Sequence, residues 1–210
     1  MPMISVSRMY GSGGSDVATA VATTLGWSLL DNAVIDEVAS RTGLSTSEVA
    51  AREERMPSLS ERLVSAMALS TQEMLSPLAN AKFPPTEERL LAVTRHVIEE
   101  AATRGPMVIV GRGAHLMLGL RSDVLSVFCY APREALIRRS MHRDSLNEAQ
   151  ASRRVDDTNR QRRDWVKSHW GRDWTALETY HVCVNTDALG VDGASAVVVT
   201  AAQDYFEMGK

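Results

Sequence analysis

The sequence predicts an α/β protein: a doubly wound parallel sheet of about five strands with helices between them. Three observations predict it. Short apolar runs recur at 3–7, 27–30, 107–110, 124–130 and 180–184. The stretches between them carry helical periodicity with start and stop signals. Met107-Val108-Ile109-Val110 and the run Val124 to Tyr130 lack a polar alternation, as strands buried on both faces do.

The first strand, Ile4-Ser5-Val6-Ser7, leads straight into Arg8-Met9-Tyr10-Gly11-Ser12-Gly13-Gly14-Ser15-Asp16, and an amphipathic helix follows through Val17, Val21 and Leu25. Strand, glycine-rich turn and helix together point backbone N–H groups and the positive end of a helix dipole at one spot, which suits a phosphate. Such a cluster also serves as a plain tight turn. Set on the phosphate-loop pattern G-x-x-x-x-G-K-[ST], Gly13 and Ser15 fit, but Arg8 stands at the first glycine and Gly14 at the lysine. A phosphate bound here would take its cationic partner from elsewhere. Ser15 stands where a Mg²⁺-binding hydroxyl is needed, and Asp16 beside it reads also as a helix cap.

Gly26 reads as the C-cap of that helix, and the second strand ends at Asp31. From there to about Gly105 the pattern is helical. Ser45-Thr46-Ser47-Glu48 and Ser58-Leu59-Ser60-Glu61 are capping boxes. Met67, Met74, Leu75 and Leu78 suit an apolar helix face, Ala79 to Pro85 breaks the pattern, and Leu90, Val93, Val97 and Ile98 form a stripe up to the Arg104-Gly105-Pro106 stop. A helix is expected over 133–143, another from a cap at Ser145 or Asn147 to about His169, and a last one over 191–206.

The length of 210 residues allows one substantial α/β domain with an inserted helical part. No apolar run reaches the roughly 18 residues of a membrane span, and no basic segment precedes an apolar one as in a secretory signal. Cys129 and Cys183 lie in strand-like apolar contexts, which reads as two buried thiols of a reducing cytoplasm. Histidines at 96, 115, 142, 169 and 181 show no metal-ligand spacing. A net charge of −3 argues against a general nucleic-acid binder. The charge is uneven, however: 133–173 holds eleven basic residues against seven acidic ones, almost all arginine. Arginine's planar fork suits phosphate, so the cluster reads as a site for a small polyphosphate or as a solvated, salt-bridged helix face.

In doubly wound sheets ligands bind past the carboxyl ends of the strands. The residues there are Arg8 to Ser15, Asp31, Gly111 to Gly113, and Ala131 to Pro132. A phosphate loop, an acid and an arginine would meet on one edge. Trp165, Trp170 and Trp174 could stack a base beside it, or anchor the segment in the core.

With these elements in place, the chain resembles the cytidylate kinase-like branch of the P-loop nucleoside monophosphate kinases nearly end to end. The carrying residues are Ser7-Arg8-x-Tyr10-Gly11-Ser12-Gly13-Gly14, Asp31, Val110-Gly111-Arg112-Gly113, Arg153-x-x-x-Asp157-x-x-Arg160 and Val184-Asn185-Thr186-x-x-Leu189. The resemblance implies a P-loop kinase core at 1–31 and 106–210, an acceptor-binding helical insertion at 32–105, and an arginine-rich lid at about 138–172. It implies ATP with Mg²⁺ as phosphoryl donor and CMP or dCMP as the favoured acceptor. By resemblance Arg112 holds the acceptor phosphate, Asp31 opens the acceptor region, Arg153 and Arg160 contact transferring phosphates, and Asp157 meets the acceptor. Gly11, Ser12, Gly13, Gly14, Ser15 and Asp16 would cradle the donor, with Ser15 on Mg²⁺. Arg8 and Arg139 are the candidates to stand in for the absent lysine. A kinase for a non-nucleotide small molecule, or a nucleotide-binding regulator without turnover, also fits these residues, as do a monomer and a homodimer.

Overall fold

A computed structural model describes residues 1–49, 87–119 and 121–207. Five strands, β1 (Met3–Arg8), β2 (Ser28–Leu30), β3 (Met107–Val110), β4 (Val124–Tyr130) and β5 (Val182–Asn185), form one sheet in the order β2-β3-β1-β4-β5. Every pairing is parallel. The helices are α1 (Gly14–Leu25), α2 (Asn32–Thr42), α3 (Glu87–Arg104), α4 (Ala114–Met117), α5 (Arg133–Asp144), α6 (Glu148–Trp170) and α7 (Thr186–Glu207). No described helix is long and apolar enough to cross a membrane.

Side chains alternate along a strand, so a run apolar at every position must be covered on both sides. Ile4, Val6, Leu125, Val127 and Cys129 pack under Val17 and Val21 of α1 and Ala194 and Val198 of α7. Met3, Met107, Ile109, Val124 and Phe128 face the other way, against Ile98 of α3 and Trp165 and Val166 of α6. Phe128 is among the largest fully buried side chains, and truncating such a ring costs about 3–5 kcal/mol.

Local signals set the element ends. Gly26 takes the left-handed conformation after α1, its N–H bonded to the Ala22 and Thr23 carbonyls. Asn147 caps α6 in a reciprocal box with Gln150, whereas Ser145 takes the left-handed position that ends α5. The Ser45–Glu48 box forms, each residue's side chain bonding the other's amide. In the stripe of α3, Leu90 and Val97 pack with Val38, Ala39 and Val49, while Ile98 turns to the sheet. The Ser58–Glu61 box, the Met67 to Leu78 face and the Ala79 to Pro85 break lie outside the described residues.

Two elements differ from the expectation. Tyr180 and His181 precede the last strand instead of opening it. Tyr180 follows a 3₁₀ turn, donates its hydroxyl to the Trp174 carbonyl at 2.8 Å and stacks on Phe128. The last helix starts early, at Thr186, because Asn185 Oδ1 accepts from the Asp187 and Ala188 amides at 3.0 and 3.3 Å. It then breaks at Gly190 (φ 68°, ψ 177°) before the long run from Val191.

The strand order positions the site. β1 lies at the centre with β3 and β4 on its two sides, so the chain reverses its direction of winding there and the loops after β1 and β3 open on one edge.

Candidate active site

The glycine-rich loop leaves β1 alongside β4, with the Met9 N–H donating to the Cys129 carbonyl at 3.0 Å. Ser12 closes the turn through its N–H to the Met9 carbonyl (3.2 Å), and its hydroxyl accepts the Gly14 N–H at 3.3 Å. The ladder of α1 begins at Val17 N–H to the Gly13 carbonyl. The Ser15 and Asp16 amides precede it, so they point out of the helix N-terminus toward the loop mouth. Gly13 is the N-cap and makes no side-chain bond; Asp16 sits in the first turn, favourable to the dipole but not the cap. Gly11 is left-handed (φ 82°), and a Cβ there would stand 2.6 Å from the Leu136 carbonyl, so α5 packs directly on the loop.

Gly14 explains the absent lysine in steric terms. A Cβ at this position would run into Arg8 Cβ and stand 2.9 Å from Cys129 Cβ. The Arg8 side chain occupies the space, and its guanidinium lies against Gly111 at the end of β3. Arg139 reaches the loop from the other side. Its Nη1 donates to the Ser12 carbonyl (3.1 Å) and Thr186 Oγ1 (2.9 Å), and its Nη2 to the Thr186 carbonyl (2.8 Å).

Past β3 the chain turns on Arg112, which holds a left-handed backbone (φ 58°) that non-glycine residues rarely adopt. Such strain is sustained where the surroundings fix it, often at functional sites. Arg112 lines a cavity of about 40 Å³ with Arg8, Arg162, Ser7, His115, Trp165 and Trp174. Burial pulls the Arg112 guanidinium down to about 10; the Asp31 carboxylate opposes that shift and the Arg162 charge adds to it. Burial also takes His115 down to about 4, so its ring is neutral at pH 7. Its Nδ1 shares a 3.1 Å hydrogen bond with the Ser7 hydroxyl, and its ring stacks on Tyr180.

Helix α6 closes the cavity and grips the loop. Arg162 Nη1 donates to the Arg8 carbonyl at 2.9 Å, and the Tyr10 N–H donates to Asn159 Oδ1 at 2.8 Å. The Tyr10 hydroxyl donates to Asp144 Oδ2 at 2.7 Å, and the Arg143 guanidinium sits 4.5 Å above its ring.

A model of the cytidylate kinase-like family matches residues 3–188. The chain belongs to that family. No curated protein matches the sequence. A solved structure of an uncharacterized protein from Eubacterium ventriosum ATCC 27560 is similar over 97% of this chain and 99% of its own, at 18% identity and a TM-score of 0.69. Shikimate kinase from Bacteroides thetaiotaomicron covers 98% of both chains at 15% identity and a TM-score of 0.51. At such identities the likeness concerns the fold, which is that of the P-loop kinases.

In this cytidylate kinase-like chain the residues expected from sequence fall into two groups. Arg8 and Arg112 line one cavity at the edge above β1 and β3, with the Asp31 charge acting on Arg112, while Gly11 to Asp16 follow Arg8 on the β4 side, where Gly14 stands against Arg8 and Cys129. Arg153, Asp157 and Arg160 stay on the exposed side of α6, where Arg160 pairs with Asp157 at 2.5 Å. Trp165 and Trp174 are buried and join the core, as anchors of the segment.

Arg162 also lines the cavity, although the motif passes over it. It stands two residues beyond Arg160, about 200° around the helix, and falls in line with the inward positions Val155, Thr158, Trp165 and Val166. That interruption of an apolar stripe by one arginine is the signal that finds it.

For a metal, the half-buried Ser15 hydroxyl in the first turn of α1 is the available donor, with the exposed Asp16 next to it. No group of three or more His, Cys, Asp or Glu side chains suited to a metal occurs among the described residues. That donor set fits Mg²⁺, which keeps several waters and takes one or two protein oxygens plus substrate phosphates.

Proposed function

We propose that the protein transfers the γ-phosphoryl group of ATP to a nucleoside monophosphate, with CMP or dCMP as acceptor. The observation that carries this reading is the placement of Arg112. Its constrained turn sets a half-buried cation at the strand edge where the glycine-rich loop opens, beside Arg8 and within reach of the Asp31 charge. Family membership supports the phosphotransferase class; the motif residues support the pyrimidine acceptor.

In this reading the loop amides from Gly11 to Asp16 hold the donor's phosphates. Ser15 would hold Mg²⁺, which when bound would neutralise charge on the donor's phosphate oxygens. Arg112 and Asp31 orient the acceptor, with Asp157 reaching it from α6. An acceptor phosphate oxygen attacks the γ-phosphorus in line, the bond to the ADP oxygen breaks, and ADP leaves. The acceptor phosphate is already ionised, so no general base is required. Arg8 supplies the charge that lysine supplies elsewhere, and Arg139 keeps the loop in shape through Ser12. Arg153 and Arg160 swing from solvent onto the transferring group, which also excludes water.

The test is transfer from labelled ATP, with Mg²⁺, to a panel of nucleoside monophosphates, using the full chain and Arg112→Ala. Transfer to CMP or dCMP that falls by about 10–100-fold in Arg112→Ala is expected for the loss of a charge-assisted contact. No transfer to any nucleotide while ATP still binds overturns the reading in favour of another acceptor or a regulatory role.

A further inference from the structure

Resting on the part proposed for Arg153 and Arg160 in the transfer, we infer that Tyr10 is a positioning residue: it fastens the end of α5 and the inner side of α6 to the glycine-rich loop, and so sets where those arginines stand. Tyr10 belongs to the glycine-rich motif, yet the motif gives it no task.

Each part of this residue takes a different partner. Its N–H goes to Asn159 of α6, and its hydroxyl to Asp144, the last residue of α5. Three guanidinium carbons stand near its ring, those of Arg143 at 4.5 Å, Arg154 at 5.7 Å and Arg162 at 6.0 Å from the ring centre. Such cations are drawn to the negative face of an aromatic ring. Tyr10 also packs on the apolar cluster in which Ala135 and Leu136 of α5 meet Ala151 and Val155 of α6. One side chain on the loop thus touches both helices.

The joint between the helices is where this contact acts. They meet at Ser145, whose left-handed backbone (φ 53°) is unfavourable for a residue with a Cβ and persists where its surroundings hold it. Just before it, the Arg143 guanidinium bonds the Asp144 carboxylate at 2.9 and 3.1 Å, and the same carboxylate accepts from Tyr10. Hydrogen bonds to an ionised carboxylate are the stronger kind. Tyr10 therefore grips both arms of the joint, and α6 cannot pivot at Ser145 without giving up contacts on one side.

Arg153 and Arg160 are the immediate neighbours of Arg154 and Asn159, two of the residues that meet Tyr10. With the helix fixed there, reaching the transferring group takes a rotation of side chains and no movement of backbone. Geometry set in advance lowers the barrier to the chemical step. Its loss shows in kcat and not in ground-state binding.

The test is a double-mutant cycle on transfer from ATP to the nucleotide that the parent phosphorylates, with the full chain, beside hydrogen exchange of 148–170 without nucleotide. Tyr10→Phe keeps the ring and deletes the hydroxyl, and should lower kcat about 10-fold with both KM values unchanged. Tyr10→Leu loses the ring face as well, and should lower kcat about 100-fold. In an Asp144→Ala background Tyr10→Phe should cost nothing further, because the bond it breaks is already gone. Asp144→Asn, which keeps an acceptor oxygen, should recover part of the rate lost in Asp144→Ala. Exchange across 148–170 should quicken in both Tyr10 variants. If Tyr10→Leu does not fold, the Tyr10→Phe cycle decides. A kcat equal to the parent's in the Tyr10 variants, losses that multiply in the double variant, or a rise in KM alone overturns the inference. If the parent phosphorylates no nucleotide, the transfer reading falls by itself. Faster exchange in the Tyr10 variants then still supports the fastening, and unchanged exchange overturns it.

Discussion

Arg139 and Thr186 join the glycine-rich loop to the far side of the sheet. The Arg139 fork takes both the Thr186 hydroxyl and its carbonyl, and the two side chains meet on the Ser12 carbonyl, to which Thr186 Oγ1 also donates at 2.5 Å. The loop is therefore held by α5 and by the turn after β5, elements more than a hundred residues away in sequence.

Thr186→Val keeps the shape of this buried residue and deletes the hydroxyl, leaving the Ser12 carbonyl with one donor fewer. A loss of about 1–3 kcal/mol is expected in denaturant unfolding. Arg139→Lys keeps the charge but not the fork, and should weaken ATP binding through a loosened loop. An unfolding midpoint and ATP affinity both equal to the parent's would show that the tie does not shape the loop.

Restoring the loop lysine should fail. In Gly14→Lys, as in Gly14→Ala, the new Cβ meets Arg8 Cβ and Cys129 Cβ, atoms that cannot move without the backbone. A cost of about 1–3 kcal/mol is expected in either variant, with no gain in phosphoryl transfer. A thermal unfolding scan and the transfer assay decide; a stable and faster Gly14→Lys would refute the steric account.

Asn159→Ala removes the acceptor of the Tyr10 amide. A cost of about 1 kcal/mol follows, concentrated where α6 meets the loop. Limited trypsin digestion should cut the arginine-rich helix sooner than in the parent, whereas equal digestion rates would show that this bond does not hold α6 down.

The burial of His115 predicts a pH dependence. Below pH 6.5 the unfolded chain takes up a proton on this ring that the folded chain refuses until about pH 4. The unfolded state binds more protons in that window, so stability is complete above pH 6.5 and falls as the pH drops toward 4, by on the order of 3 kcal/mol in all. His115→Asn should flatten that part of the profile. A profile with the same slope in the variant would assign the dependence to other groups.

Much of the fold was legible because burial on both faces leaves a plain mark. β3 and β4 coincide with their continuous apolar runs, and the cap at Gly26 follows from its type and position. β5 began later than its apolar run suggested, because Tyr180 spends its ring on Phe128 and its hydroxyl on Trp174, contacts that no local pattern encodes. The candidate site was legible where its signal is local, in the strand-end turns at Gly11 to Ser15 and Gly111 to Gly113. It was not where a side chain works across the fold. Arg139 reads like its neighbour Arg138, yet only the packing of α5 on the loop gives it Ser12 and Thr186. Arg162 hides for a different reason: a motif counts residues, whereas a helix counts turns.

The crowding of Gly14 by Arg8 also constrains how such a loop can change over time. The two positions compete for one volume, so substitutions there are coupled rather than independent. A side chain at 14 would meet the Cβ carbons of residue 8 and of Cys129, so exchanging the arginine for another residue that has a Cβ does not by itself make room for it. This form of the loop and a form with a side chain at 14 therefore differ in the backbone spacing of two neighbouring strands and not in one residue alone.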